Sequence, residues 1–378
     1  MVALVAAAAP VLADLTRRVR VPIVVAEIVL GIVIGPQVLD LAQPDDFIEA
    51  LSTFGLAFLF FLAGLEIEFE AIRGKPLSLG GLGWAISLGL GLVLAIILWA
   101  AGVIDAPILV ALALTTTALG TLMPVLRDSG ILGERFGRYV LGVGAVGEFG
   151  PVVIVSLILA FESGEPWRSV LLVVFTAIAV LAALVAIRAR PSRVVDLVHS
   201  TMHSSGQFAI RLTLLVLVAL SVLASDLGLD LILGAFAAGI IVGFVTRGEG
   251  ADAADFEAKL DAVGYGFLIP IFFIATGMDF ELDTLFESPS AIAMVPGFAL
   301  LFLLARGLPA LLLYRSELER KERVPLALLS AAALPLIVAI TEIGTETGVM
   351  ATEEAVSLVG AGMLSVLLYP VLALAFRK

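Results

Sequence analysis

Residues 26–35 read AEIVLGIVIG, and residues 234–243 read GAFAAGIIVG. Both segments are apolar, and both have glycine at their sixth and tenth positions. A second pair follows them in the same order, FFLAGLEIEF at 60–69 and FFIATGMDFEL at 272–282. Two matches in the same order favour an internal repeat, which is common in membrane transporters.

The composition around these segments is that of a membrane protein. Of the 378 residues, 61% are hydrophobic and 15% are charged, and the mean hydropathy is +1.13. A soluble core cannot bury so much apolar surface, whereas a membrane helix needs about 20 apolar residues. The sequence predicts an all-α polytopic protein with thirteen membrane helices, at about 1–15, 21–35, 51–66, 77–101, 106–126, 139–160, 169–188, 207–224, 229–246, 263–279, 290–314, 324–343 and 354–375. The first segment, with no basic region before it, resembles a signal peptide, but the Arg-rich loop after it and the lack of a convincing cleavage site favour a retained helix.

The matched segments lie seven predicted helices apart. An odd separation means that the two copies enter the membrane from opposite sides. We therefore expect two inverted-topology repeats, at about 1–160 and 207–378, joined by a connecting helix at about 169–188. The expected organisation is one transmembrane domain over 1–378, without a soluble regulatory domain.

Loop charges predict the orientation. Alternate loops and the C-terminus contain nineteen of the twenty-two Lys and Arg residues, and basic loops collect on the cytoplasmic side. We expect a multi-pass protein of the plasma or inner membrane, with its N-terminus outside and its C-terminus in the cytoplasm. Acidic outer loops account for much of the net charge of −12, either to attract cations or simply to keep the loops soluble.

Several chemistries are excluded by missing motifs. The chain has no cysteine and two histidines, so neither disulfides nor structural zinc are expected. We find no phosphate-binding loop, HExxH motif or nucleophile constellation. The chain is therefore not expected to be an enzyme, to hold a cofactor or to bind nucleic acid.

The fifth and twelfth predicted helices occupy equivalent places in the two repeats. They read ALTTTALGTLMP at 113–124 and LLSAAALPLIVAITEIG at 328–344, with small polar residues and prolines near mid-membrane. Pro124 and Pro335 each remove a backbone donor, and non-helical backbone at this depth is tolerated where it lines a cavity. These features predict crossed, discontinuous helices. The alternative is an ordinary proline kink in each.

Two ionisable residues at bilayer depth are the main functional candidates. Glu148 lies in the glycine-rich stretch GVGAVGEFGPVV at 142–153, and Arg306 lies in the apolar stretch LLFLLARGLPALLL at 300–313. Charges at this depth are costly and usually functional. The simplest hypothesis is an ion pair, in which the Glu148 carboxylate binds a proton or an alkali cation and Arg306 tunes it. The alternative is a pair that only holds two helices together.

Two further acids are secondary candidates. Glu27 falls near mid-membrane in the second predicted helix. Three roles are compatible with this position: a role in transport, a hydrogen bond to a helix backbone, or a place in the lining of the transport entrance. Glu342 lies near the outer boundary, where a vestibule role and a solvated helix end are equally compatible with the sequence.

Several stretches together resemble the transmembrane domain of bacterial cation:proton antiporters, especially the Kef-type and NapA-like branch. They are VPIVVAEIVLGIVIGP at 21–36, FLFFLAGLEIEF at 58–69, LTTTALGTLMPVLRDSGILGERFGR at 114–138, LGAFAAGIIVG at 233–243 and IPIFFIATGMDF at 269–280. The resemblance runs from about residue 10 to the C-terminus.

The resemblance implies a thirteen-helix homodimer in which a core domain moves like an elevator against a dimer domain. It implies that Glu148 is the ion-binding acid and Arg306 its basic partner. It also implies a crossover of unwound helices, onto which Thr115, Thr116 and Thr117 fall, with Ser330 in the second broken helix. One departure concerns the acid itself, because family members commonly have two polar or acidic residues where this chain has Gly147 and Glu148.

We therefore expect Na⁺ or K⁺ to be exchanged for H⁺. With one titrating carboxylate the same charge crosses in both directions, so the exchange should be electroneutral. Three alternatives remain: an organic-anion transporter that uses Arg306, a potassium pathway, and a non-transporting sensor.

Overall fold

The computed structural model describes residues 1–15, 22–66, 72–162, 207–227, 231–246 and 251–377, and the regular elements within these ranges are helices. They are α1 (Val2–Leu15), α2 (Ile23–Ile34), α3 (Asp46–Glu66), α4 (Lys75–Ala100), α5 (Pro107–Leu114), α6 (Leu119–Asp128), α7 (Arg135–Glu162), α8 (Phe208–Asp226), α9 (Leu231–Thr246), α10 (Ala251–Val263), α11 (Ile269–Met278), α12 (Leu282–Glu287), α13 (Pro289–Phe302), α14 (Leu308–Leu313), α15 (Arg320–Ser330), α16 (Pro335–Glu346) and α17 (Thr352–Arg377). Two π-helical turns, Gly264–Leu268 and Leu303–Gly307, join α10 to α11 and α13 to α14.

These helices account for twelve of the thirteen predicted membrane segments, and the connecting helix at 169–188 lies outside the described residues. The largest difference is in the tenth segment, which was predicted from 263 but begins at Ala251. Within the described ranges, eight helical segments are long and apolar enough to cross a bilayer, and four shorter ones are also apolar.

The exposed surface of α4 shows why lipid rather than water must surround it. Leu82, Val93, Ile97 and Trp99 are each more than half exposed along this helix. An apolar surface of this length would be unstable in water, whereas it matches the hydrocarbon region of a bilayer. The polar groups of the protein are correspondingly gathered inside or at the helix ends.

The chain forms two compact units. The first comprises Met1–Gln43, Glu68–Val155 and Thr276–Lys378, and the second comprises Pro44–Ile67 and Ser156–Ala275. In the second unit, α3 crosses α9 with the backbones almost touching. A methyl group added at Gly64 would overlap the carbonyl oxygen of Phe236 and lie 3.1 Å from the amide of Ile240. Only glycine permits this approach.

The first unit contains an equivalent crossing, between α2 and the end of α11. A methyl group at Gly277 would overlap the carbonyl oxygen of Ile28 and lie 2.9 Å from the amide of Ile32. Ile28 and Ile32 occupy the third and seventh places of the segment 26–35. Phe236 and Ile240 occupy the same places of the segment 234–243. The two sequence matches therefore make the same contact in the two units.

Two helices of the first unit are interrupted, as the fifth and twelfth predicted segments suggested. Residues 115–118 separate α5 from α6, and residues 331–334 separate α15 from α16. The interruptions are hydrogen-bonded to each other, because the Ala118 amide donates to the Ala332 carbonyl at 2.8 Å. Ser365 of α17 secures the second one, accepting from the Ala333 amide at 3.1 Å and donating to its carbonyl at 3.0 Å.

The position of the first interruption corrects the role given to Pro124. Pro335 does begin α16, a position where its missing amide costs nothing, but Pro124 lies within the continuous helix α6. The chain leaves the helix earlier because Thr115 and Thr116 turn their hydroxyls back onto the carbonyls of Leu112 and Ala113, each at 2.8 Å. Side-chain bonds of this kind compete with the helical ladder.

A cluster of polar side chains braces one end of the first unit. Glu317 lies in the loop between α14 and α15. It accepts bonds from Lys75 Nζ at 2.5 Å, Tyr139 Oη at 2.7 Å and Arg135 Nη2 at 2.8 Å. The hydrogen bond from Lys75, followed by those from Tyr139 and Arg135, lowers the pKa of Glu317 to about 2. The starts of α4 and α7 are thus tied to this loop by a carboxylate that stays ionised at physiological pH.

Candidate ion-binding site

Arg306 lies at the centre of the first unit, on the π-helical turn between α13 and α14, and is 2% exposed. Its guanidinium is held by three elements. Nη2 donates to Thr117 Oγ1 at 2.7 Å and to the Val143 carbonyl at 3.1 Å. Nε donates to Thr117 Oγ1 at 3.1 Å and to the Ser330 carbonyl at 3.3 Å. Arg306 therefore joins α7 to the two interrupted helices.

Thr117 and Ser330 complete this junction. The Thr117 hydroxyl donates to the Ser330 carbonyl at 2.6 Å, and the Thr117 amide donates to the Gly147 carbonyl at 3.1 Å. Ser330 ends α15, and α5 ends three residues before Thr117. Helix C-termini carry partial negative charge, so a guanidinium at this place is electrostatically favoured.

The predicted ion pair between Glu148 and Arg306 is not formed in this structure. Every hydrogen bond of Arg306 goes to Thr117 or to a backbone carbonyl, and among the described residues it has no carboxylate partner. The reason is helical geometry. Val143 and Gly147 lie one turn apart on the same face of α7 and meet the guanidinium, whereas Glu148 is rotated by about 100° from Gly147.

Gly147 is part of the site although it has no side chain. A methyl group there would overlap Nη2 of Arg306 and lie 2.5 Å from Thr117 Oγ1. The guanidinium thus occupies the space that any larger residue at 147 would fill. In the sequence Gly147 stands out only as a departure from the family pattern, because its contact with Arg306 depends on the three-dimensional fold.

Glu148 faces the start of α6. It is 5% exposed, and its carboxyl faces the backbone amide of Leu119, the first residue of α6. Its second oxygen, Oε2, is buried and has no hydrogen-bond partner in the described part of the chain. The amide end of a helix favours a negative charge and so offsets part of the cost of burying this carboxylate, while Oε2 is left available to bind a cation or a proton.

The unwound segment that precedes Leu119 contains neutral oxygens. Thr115, Thr116 and Thr117 are buried, and within the described ranges their backbone carbonyls accept no hydrogen bond. The Leu119 contact brings this unwound segment next to Glu148. Carboxylate and carbonyl oxygens are the ligands that alkali and other hard cations prefer, so the local chemistry suits a small cation.

The two secondary candidates lie elsewhere. Glu27 is 3% exposed in α2 and makes no hydrogen bond or ion pair with any described residue, and Glu342 is exposed near the end of α16. The structure therefore brings together Glu148, Arg306, Thr115 to Thr117 and Ser330, and no hydrogen bond or ion pair joins Glu27 to this group in the described part of the chain.

The sequence has relatives over nearly its whole length. A model of the transmembrane region of the sodium/hydrogen exchangers matches residues 2–374. The chain belongs to the sodium/hydrogen exchanger family. The family consists of multi-pass membrane ion transporters rather than enzymes, in agreement with the sequence prediction, and eight described segments of this chain are long and apolar enough to cross a bilayer.

Three proteins show how far the likeness extends. YjbQ of Bacillus subtilis is 29% identical over 378 residues, covering 94% of the chain and 59% of YjbQ, so the chain spans well under two thirds of that relative. A Na⁺/H⁺ antiporter of Enterococcus hirae is 23% identical over 377 residues, covering 96% and 94% of the two chains. The Na⁺/H⁺-K⁺ antiporter GerN of Bacillus cereus is 24% identical over 288 residues, 75% and 71% of the two chains.

The fold is shared with a solved structure. The sodium proton antiporter MjNhaP1 from Methanocaldococcus jannaschii superposes with a TM-score of 0.71 at 19% identity, over 98% of this chain and 94% of that one. At this identity the likeness establishes the fold of the exchanger-family protein and nothing about its ion.

Proposed function

We propose that this protein exchanges Na⁺ for H⁺ across the membrane, with Glu148 as the group that binds either ion. The observation that carries the proposal is the buried Oε2 of Glu148, which has no partner in the described residues and lies beside two interrupted helices. An ionisable group at bilayer depth costs free energy, so such groups are usually retained for a function. Family membership and the names of the Enterococcus and Bacillus relatives support the choice of ions.

A single carboxylate imposes competition between the two ions. Protonation removes the charge that holds the cation, and a bound cation excludes the proton, so Glu148 crosses with one or the other. Arg306 remains protonated at any physiological pH, and its fixed bonds to Thr117 and Val143 make it a poor carrier. We therefore infer a one-for-one, electroneutral exchange.

Alternating access requires the loaded site to face both sides. At Gly64 the segment 60–69 packs against the segment 234–243, and at Gly277 the segment 272–282 packs against the segment 26–35. Each crossing therefore pairs one segment of the first repeat with one of the second, which supports two inverted repeats. We infer that the helices around Arg306 form the moving core of an elevator-type homodimer, with the N-terminus outside and the C-terminus in the cytoplasm.

Potassium is the second candidate ion. The Na⁺/H⁺-K⁺ antiporter GerN matches 75% of the chain, and neutral carbonyl oxygens also coordinate K⁺. The organic-anion alternative loses support, because three of the contacts that an anion would need on Arg306 are already made to Thr117, Val143 and Ser330.

The test is dissipation of a pH gradient in proteoliposomes on addition of Na⁺, K⁺ or Li⁺. We expect a cation-dependent signal from the wild type, none from Glu148→Gln, and a wild-type signal from Glu353→Gln, which neutralises an exposed acid on α17. A full signal from folded Glu148→Gln would refute the role of Glu148. No signal from folded wild type with any of the three ions would refute cation exchange.

A further inference from the structure

A small cavity lies against Arg306, inside the first unit. Its lining comes from α4, α7 and the helix that contains Arg306, and consists of Gly80, Gly83, Ser87, Val143, Arg306, Pro309, Ala310 and Tyr314. The centre of a water molecule has about 10 Å³ in which to move there. A buried water needs about that much, roughly 10–15 Å³.

Two polar groups at this cavity lack protein partners. The Tyr314 side chain is 1% exposed, and its hydroxyl makes no hydrogen bond within the part of the chain that the structure describes. Arg306 uses Nε and Nη2 for all its bonds, which leaves the two N–H groups of Nη1 without an acceptor among the same residues. Leaving the buried Tyr314 hydroxyl unpaired costs about 1–3 kcal/mol.

We propose that this cavity binds a single structural water, which accepts from Arg306 and bonds to the Tyr314 hydroxyl. A water both donates and accepts, so it satisfies two donors and returns its own protons to the Ser87 hydroxyl or the Val143 carbonyl, which also line the cavity. Buried waters make two to four such bonds. The size of the space selects a molecule as small as water over any organic ligand.

The assignment gives Tyr314 a function in the site. Arg306 has no carboxylate partner in the described residues, so its charge depends on neutral hydrogen-bond acceptors. Thr117, Ser330 and Val143 supply them to Nε and Nη2, and the Tyr314 water supplies one to Nη1. The water then accepts from one of the two Nη1 N–H groups without drawing on Glu148, which stays free for its ion.

The experiment is radiolytic hydroxyl-radical labelling of the wild-type protein in nanodiscs, read out by mass spectrometry. Radicals formed from a bound water modify the side chain that touches it, even in a dry interior. Tyr369 is the matched control, because it is also buried but its hydroxyl donates to the Ala299 carbonyl at 2.6 Å. We expect Tyr314 to be labelled several-fold faster than Tyr369. Equal, low labelling of the two would overturn the proposal.

Thermal unfolding of Tyr314→Phe gives a second, independent readout. If the hydroxyl bonds to a water, its removal strands the water and lowers the Tm by a few degrees. If the cavity is dry, removing an unpaired hydroxyl leaves the Tm unchanged or raises it, which would contradict the proposal. A Tm or a labelling rate that changes when chloride is replaced by gluconate would assign the cavity to an anion instead. None of these readouts depends on transport, so they stand apart from the test of Glu148.

Discussion

Gly147→Ala should break the contacts between Arg306 and α7 without substituting any ionisable residue. The added methyl group would overlap Nη2 of Arg306 and lie 2.5 Å from Thr117 Oγ1, whereas non-bonded carbon contacts are ordinarily about 3.5–4.0 Å. The guanidinium must therefore retreat by about 1 Å, which takes its bonds to Thr117 and Val143, now 2.7 and 3.1 Å, beyond hydrogen-bond range.

The magnitude follows from those two bonds. Hydrogen bonds to charged groups contribute about 1.5–3 kcal/mol each, so the substitution should destabilise the site by about 3 kcal/mol or more. At 1.4 kcal/mol for each factor of ten, the population with the crossover correctly assembled falls by roughly a hundred-fold. We expect Na⁺-dependent proton efflux to fall by at least about ten-fold and the Tm to drop by several degrees.

The assay pairs proteoliposome flux with unfolding of the same preparation. Gly89→Ala is the matched control, because a methyl group at this position of α4 meets nothing within 4 Å. It should leave both flux and Tm near the wild-type values. Wild-type flux and Tm in Gly147→Ala would refute the conclusion that Arg306 needs the empty side-chain position of residue 147.

Three further substitutions test the surrounding scaffold. Glu317→Gln should lower the Tm at pH 7. The pKa of Glu317 is lowered from 4.5 to about 2, so this stabilisation is complete above about pH 4.5 and is lost as the pH falls toward 2; a Tm difference that grows on acidification would contradict it. Ser365→Ala should lower the Tm, because it strands the buried Ala333 amide at a cost of about 1–3 kcal/mol, and an unchanged Tm would count against that bond. Gly277→Ala should destabilise by forcing α2 away, while Gly297→Ala, which meets nothing within 4 Å, should not; equal Tm values would refute the tight crossing.

The helices could be predicted from the sequence because each depends on local composition. Apolar runs located twelve described segments, and the segments 26–35 and 234–243, matched by sequence, make equivalent contacts in the two units. Glu148 and Arg306, singled out because they lie within such runs, are both buried. These features depend on chain neighbours, which a sequence displays directly.

The contacts of the site could not be predicted in the same way. Pro124 suggested the place of the first interruption, but hydroxyl bonds of Thr115 and Thr116 moved it a few residues earlier. Charge alone suggested that Arg306 pairs with Glu148, whereas rotation along α7 directs Gly147 to the guanidinium. Glycine at 147 and the hydroxyl of Tyr314 gain their roles only from residues distant in sequence.

The most direct test of the account is the response of transport to membrane potential. Proteoliposomes with a fixed sodium gradient would be clamped with valinomycin and potassium at 0 and −100 mV, and the proton gradient at which net flux stops would be read with a pH dye. One net charge per cycle is worth about 2.3 kcal/mol per 100 mV, or roughly a fifty-fold change in that gradient. Exchange on Glu148 alone predicts the same null point at both potentials. A null point that shifts with potential would contradict one-for-one exchange on a single carboxylate.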